Sequence, residues 1–149
     1  VTHDVPSSVA ELTPIDAAPW AAFEAALAAE GLPTSDLRDS GQRFFALGDG
    51  AAFGGYARTG EIALLRSFVT APERRGLGLG ADILTAVLAE ARRDGAREAW
   101  LLTTTAEAFF GRHGFVTVDR AEAPAAVKVS AQFARLCPAA ARVMCRKPL

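Results

Sequence analysis

The chain has 149 residues, half of them hydrophobic and 22% charged, which fits one globular domain spanning residues 1–149 and excludes a disordered chain. Sixteen Lys and Arg nearly cancel seventeen Asp and Glu, leaving a net charge of -1, so neither nucleic acid nor an anionic membrane is an expected partner. Two cysteines, Cys137 and Cys145, exclude a disulfide scaffold, and two histidines with no C-x-x-C pair lead us to expect no metal site.

Residues 1–10 carry Asp4 and Pro6 and lack the basic and apolar segments of a secretory signal. No apolar run approaches the roughly 18–20 residues of a membrane span, so a reduced, cytoplasmic protein is expected. Residues 9–13 read as a first strand. A helix over 16–30 follows, with Asp16 as its cap, Trp20, Phe23 and Leu27 recurring at helical spacing, and Gly31 as its stop. Residues 32–40 read as loop with room for one helical turn. Strands at 43–47, 51–57 and 61–70 are separated by Gly48-Asp49-Gly50 and Thr59-Gly60, which are hairpin-type turns.

The strongest helix spans 78–94, where Leu79, Ile83, Leu84, Val87, Leu88 and Ala91 form one stripe and Gly95 ends the run. A strand at 97–103, a short helix at 105–112 capped by Thr105, a strand at 115–118, a helix at 124–136 and a strand at 142–147 complete the chain. Antiparallel strands followed by a strand–helix–strand crossover imply an α/β (α+β) fold, a mixed sheet with helices on its faces.

Chemistry concentrates where the third strand of the central group gives way to the long helix. The stretch Val69-Thr70-Ala71-Pro72-Glu73-Arg74-Arg75-Gly76-Leu77-Gly78-Leu79-Gly80 puts two arginines and three glycines before a helix start. Unpartnered N–H groups, the helix dipole and glycines that permit close approach make such a start a site for phosphate or pyrophosphate. Arg outnumbers Lys fourteen to two along the chain, and these two Arg place positive charge where that ligand would sit. A Walker A loop is excluded because Ala81-Asp82 follows Gly80 in place of Lys-Ser/Thr. A dinucleotide fingerprint fits poorly, since Ala71-Pro72-Glu73-Arg74 separates strand from glycines and Glu98 begins the next strand instead of ending it.

Arg75-x-x-Gly78-x-Gly80 after Val69-Thr70-Ala71-Pro72 resembles the acyl-CoA motif of the GNAT superfamily of N-acetyltransferases. The short-helix segment Ala106-Glu107-Ala108-Phe109-Phe110 through Gly114-Phe115 is similar to that family's A-x-x-F-Y-x-x-x-G-F element. The resemblance implies a mostly antiparallel sheet with a splayed central strand pair. It also implies acetyl-CoA as co-substrate, held by Phe68, Val69 and the main chain of Arg74, Arg75, Gly76, Leu77, Gly78, Leu79 and Gly80. The strings from Leu101 to Phe110 and from Val129 to Pro138 are similar to the arsenic-resistance (ArsN-type) N-acetyltransferases. An arsenical or phosphinic amino-acid-like amine is therefore the acceptor that this narrower resemblance implies. A homodimer is the assembly that the superfamily suggests.

Amine acetylation needs a neutral nucleophile, close approach and a donor for the developing oxyanion. A bulge near Val69 would supply a backbone N–H, as the resemblance implies. The family's usual Tyr is replaced by Phe110, which leaves no general acid, and Glu61 and Glu107 are the candidate bases. Arg66 interrupts an apolar strand. Alternation puts it on the face of Leu64 and Phe68, opposite Leu65, Ser67 and Val69, where it can bind a substrate oxyanion or pair with Glu61, Glu98 or Glu107. Arg43, Thr103, Thr104 and Thr105 are further candidates for the acceptor pocket. Cys137 reads as a buried thiol and His113 as a helix-exit residue, with a ligand role and a catalytic role as their respective alternatives. A non-catalytic acyl-CoA-binding or sensor domain is the competing reading, and a nucleotide-binding oxidoreductase a more distant one.

Overall fold

Alternation along a strand buried on both faces sorts its side chains between two cores, and β2 (Gln42–Leu47) shows this directly. Phe45 and Leu47 enter one core while Phe44 and Ala46 enter the other. The computed structural model describes residues 12–15, 20–32, 34, 37, 41–48, 50–71, 76, 78–128 and 141–149. In order, the elements are β1 (Leu12–Pro14), α1 (Trp20–Ala29), β2, β3 (Ala52–Thr59), β4 (Ile62–Thr70), α2 (Leu79–Arg93), β5 (Glu98–Thr103), α3 (Glu107–Gly111) and β6 (Val116–Val118). A single 3-10 turn (Arg120–Glu122), α4 (Ala125–Lys128) and β7 (Arg142–Arg146) follow. The start of the first expected strand, the cap of α1 at 16–19 and most of the helix expected over 124–136 lie outside the described residues.

The seven strands form one sheet in the order β1-β2-β3-β4-β5-β7-β6. Every pairing is antiparallel except β4 with β5, which the α2 crossover joins in parallel. This is the mixed, mostly antiparallel α/β architecture expected from the sequence, and the other element boundaries that fall within the described residues lie within two residues of their expected positions.

Helix α2 covers one face. All six residues of its expected stripe are buried there against Phe45, Tyr56, Leu65, Leu101 and Met144. At about 1.5–3 kcal/mol for each fully buried aliphatic side chain, this stripe is a leading contribution to holding crossover to sheet. Helix α1 covers part of the other face by burying Phe23 and Leu27, four residues apart, against Phe44, Phe53 and Val69. Further along that face Val127 of α4 packs with Leu64, Trp100 and Val143. The result is three layers, helix–sheet–helix, with β4 and β5 central in the middle one.

Short α3 differs from expectation in its cap. Thr105 does not cap it. The Thr103 hydroxyl accepts the Ala106 N–H at 3.0 Å, so the last residue of β5 ties the strand to the helix that follows.

Candidate functional site

The parallel pairing of β4 with β5 is brief. Ile62, Ala63 and Leu64 match Glu98, Ala99 and Trp100, and beyond them the strands part while β5 continues its pairing with β7 through Thr103. A cleft of about 610 Å³ opens in the gap. Residues 65–70 of β4 form one wall and Leu101, Leu102 and Thr103 the other, with Gly80 and Ile83 of α2 and Phe109 and Phe110 of α3 closing the helix side.

A bulge in β4 shapes the first wall. Arg66 pairs with Gly55 and Val69 with Phe53, so Ser67 and Phe68 together oppose the single residue Gly54. Ser67 takes φ 65°, and no other non-glycine among the described residues has a positive φ. The extra residue reverses the alternation expected from sequence. Leu65 and Phe68 join the α2-side core, whereas Leu64 and Val69 pack on the opposite face. Arg66 and Phe68 therefore do not share a face, nor do Leu65 and Val69. The Phe68 ring lies over Gly54, where a Cβ would come within 2.6 Å of it, and meets Phe110 edge to face at 6.4 Å.

The start of α2 is the second component. Gly76 and Gly78 have φ 87° and 79°, are exposed, and would meet nothing within 4 Å if they carried a Cβ. Glycine at these two positions keeps a left-handed turn and leaves the backbone open to a ligand. Leu79 is turned into the core, so only its main chain is available. Gly80 lies 3.5 Å, as a built Cβ, from the Phe109 ring. Arg74, Arg75 and Leu77 lie outside the described residues.

Of the acceptor candidates, Arg66, Thr103 and Thr105 line the cleft. Arg66 is only 5% exposed; its Nε donates to Ser67 Oγ and its Nη1 to Gln42 Oε1, each at 3.0 Å, and its guanidinium lies 5.8 Å from the Phe44 ring centroid. The carboxylates named as its alternative partners have contacts of their own. Glu98 accepts the Trp100 indole N–H, and Glu107 accepts the Thr117 hydroxyl. Thr104 is exposed and is not part of the lining.

Both candidate bases also fall outside the cleft. Glu61 is exposed at the closed end of the β4–β5 pair, where its carbonyl accepts from the Arg97 and Glu98 N–H groups, and Glu107 points to Thr117 and Arg142. Arg43 binds the Tyr56 hydroxyl at 3.2 Å and lies over the Phe45 ring, outside the cleft lining. Phe110 is packed among Phe68, Phe109 and Phe115. His113 rests against the Phe109 ring at 4.8 Å. Cys145 is buried in β7, where burial raises its thiol pKa, and Cys137 lies outside the described residues. Among the described residues no group of three His, Cys, Asp or Glu could hold a metal, and no helix is long and apolar enough to cross a membrane.

Ser67, Phe109 and Glu30 also line the cleft and were not singled out from sequence. The pair Gly54-Gly55 opposite the bulge is the one local signal that could have pointed to Ser67, because a strand that gives up two side chains marks a close approach or an irregular pairing.

Fold and cleft together define a class, an α/β domain whose parallel strand pair opens beside a glycine-rich helix start. The family model for an acetyltransferase (GNAT) domain matches residues 40–117, more than half of the chain, and the chain belongs to the GNAT acetyltransferase family. Among solved structures, N-acetylglutamate synthase from Neisseria gonorrhoeae, complexed with coenzyme A and N-acetyl-glutamate, superposes over 93% of this chain with TM-score 0.75 and 15% identity. This chain spans about a third of that enzyme, 35% of its length. Rv2747 from Mycobacterium tuberculosis, in complex with CoA and NLQ, gives TM-score 0.76 at 16% identity over 93% of this chain and 99% of that one. A GNAT-family acetyltransferase from Staphylococcus aureus gives 0.70 at 16% identity, over 92% and 98% of the two chains. At these identities the likeness is one of fold. A search of curated proteins finds no match.

Proposed function

We propose that the chain is an N-acetyltransferase that moves an acetyl group from acetyl-CoA to the amine of a small molecule. The observation that carries this reading is the cleft between β4 and β5, with a bulge on one wall, Gly80 on another, and the open backbone of Gly76 and Gly78 just before Gly80 in the chain. The turn fits the diphosphate end of the co-substrate, since a Cβ on either glycine would occupy space now free beside the backbone. Bound there, acetyl-CoA supplies the acetyl thioester. Phe68, Ile83 and Leu101 exclude water from the inner cleft, and the bulged main chain near Val69 presents N–H groups to the charge that develops on the carbonyl oxygen.

Arg66 is suited to hold an anionic group of the acceptor at the same wall, because a guanidinium so buried interacts strongly with an oxyanion. That preference is consistent with the arsenical or phosphinic amino-acid-like acceptors implied by the ArsN-type resemblance. No general acid or base is assigned. An acceptor amine of low pKa and a thiolate leaving group need neither at neutral pH. A cytoplasmic homodimer is the form in which we expect the enzyme to act.

Calorimetry with acetyl-CoA tests the reading. Saturable binding that weakens in Arg75→Ala and Gly78→Val is expected, and no heat at millimolar acetyl-CoA would sink it. Turnover is tested by thiol release across small amines that include arsenical and phosphinic amino acids. Light scattering that shows a monomer at micromolar concentration would refute the dimer. The packing of Phe110 where a phenol would stand favours one second reading, an acyl-CoA sensor without turnover. Thiol release with any amine of the panel would count against it.

A further inference from the structure

We infer that the Ser67 hydroxyl, polarised by the Arg66 guanidinium, donates a hydrogen bond to the thioester carbonyl oxygen of acetyl-CoA and is a side-chain component of the oxyanion site. The inference rests on the transferase reading and starts from the backbone. A non-glycine residue at φ 65° is strained, and strain of this kind is retained where surrounding structure and function hold it. Here it sits in the bulge of β4, on the cleft wall, at the level where β4 and β5 have parted.

The hydrogen bonding sets the direction of the hydroxyl. Arg66 Nε donates to Ser67 Oγ at 3.0 Å, so the oxygen serves as acceptor toward a cation and its own proton is directed to another acceptor. The guanidinium is buried, and its field makes the hydroxyl a stronger donor than one in water. Gln42 Oε1 accepts from Nη1 and fixes the guanidinium from β2, so the donor is held before any ligand enters.

During the reaction the amine lone pair forms the C–N bond, the C–S bond breaks with its electron pair leaving on sulfur, and the surplus amine proton passes to water. A serine hydroxyl is too weak an acid to give up its proton in these steps. It keeps the proton and stabilises the negative charge on oxygen. This supplies from β4 an electrostatic contribution that Phe110 on α3 is unable to make.

Ser67→Gly and Ser67→Ala separate hydroxyl from backbone, because glycine accepts φ 65° without strain while alanine keeps the strain and loses the donor. Both variants should still bind acetyl-CoA by calorimetry, weakened no more than a few-fold, and lose about 100-fold in kcat with little change in acceptor KM. Independently of turnover, the infrared band of carbonyl-labelled acetyl-CoA bound to either variant should move to higher frequency than in the wild-type complex. An unmoved band, or full kcat in Ser67→Gly, would overturn the inference while leaving the transferase reading intact. Failure of the wild-type protein to bind acetyl-CoA would overturn both.

Discussion

Gly54 and Gly55 lie side by side in β3 and are constrained by different atoms. A Cβ on Gly54 would stand 2.6 Å from the Phe68 ring, a side chain able to move, whereas one on Gly55 would collide with the Arg43 carbonyl oxygen, which is backbone. Gly54→Ala is thus expected to fold with a loss of about 1–3 kcal/mol, the usual cost of overpacking, read by urea denaturation. The displaced ring would press on Phe110 and into the cleft, so acetyl-CoA affinity should fall as well. Gly55→Ala requires the β2–β3 pairing to open and should be the more damaging of the two. Equal stabilities for the two variants would contradict this ranking.

At the scale of elements, α2 is secured at both ends by different means. Its first turn is backbone and glycine; its last residues are tied by a charged cluster. Asp94, which caps the C-terminus, accepts the Tyr56 hydroxyl at 3.0 Å and Arg58 Nε at 3.2 Å, while Arg43 donates to the same tyrosine. A carboxylate at a helix C-terminus opposes the dipole, and the two arginines offset that. The Tyr56 hydrogen bond, followed by the Arg58 charge, holds the Asp94 pKa below its ordinary value, and burial with the bond to Asp94 raises that of Tyr56. The sign follows. Asp94 contributes in full above its unfolded pKa of about 4 and loses that contribution as pH falls through the lower folded value. The stability advantage of wild type over Asp94→Asn should therefore be constant near neutrality and shrink on acidification below about pH 4. An advantage independent of pH would show that the carboxylate charge is not involved.

The stripe of α2 and its limits were readable from sequence because helical periodicity is local, repeated and reinforced by Gly95. The long-range partners were not. Tyr56 and Asp94 are 38 residues apart, and nothing near either one names the other. The bulge escaped for another reason. Residues 62–65 and 68–69 are apolar without alternation because β4 is buried on both faces, so the pattern that would register an inserted residue is missing. The glycine-rich turn announced a ligand through composition alone. Which hydroxyl or carboxylate shares the cleft depended on where β4 and β5 separate, and that moved Glu61 and Glu107 away from the site while bringing Ser67 into it.

At the scale of the whole molecule, the cleft runs through the middle layer, between strands that belong to one sheet. Ile62 to Leu64 hold β4 to β5 at one end, and beyond that point the two halves of the sheet are joined by packing against α2 and α3 instead of by ladder hydrogen bonds. A ligand that bonds to the open edge of β4 and contacts β5, α2 and α3 therefore reinforces the place where sheet continuity is weakest. Binding to the folded state alone stabilises by mass action, about 2.7 kcal/mol at a ligand concentration 100 times Kd. For a chain of this length that corresponds to a rise in Tm of about 5–10 °C. Hydrogen exchange should locate the same effect, with protection gained at amides of residues 66–70 and 101–103 and little change in β1 and β2. A rise in Tm without that localisation would place the ligand elsewhere on the molecule.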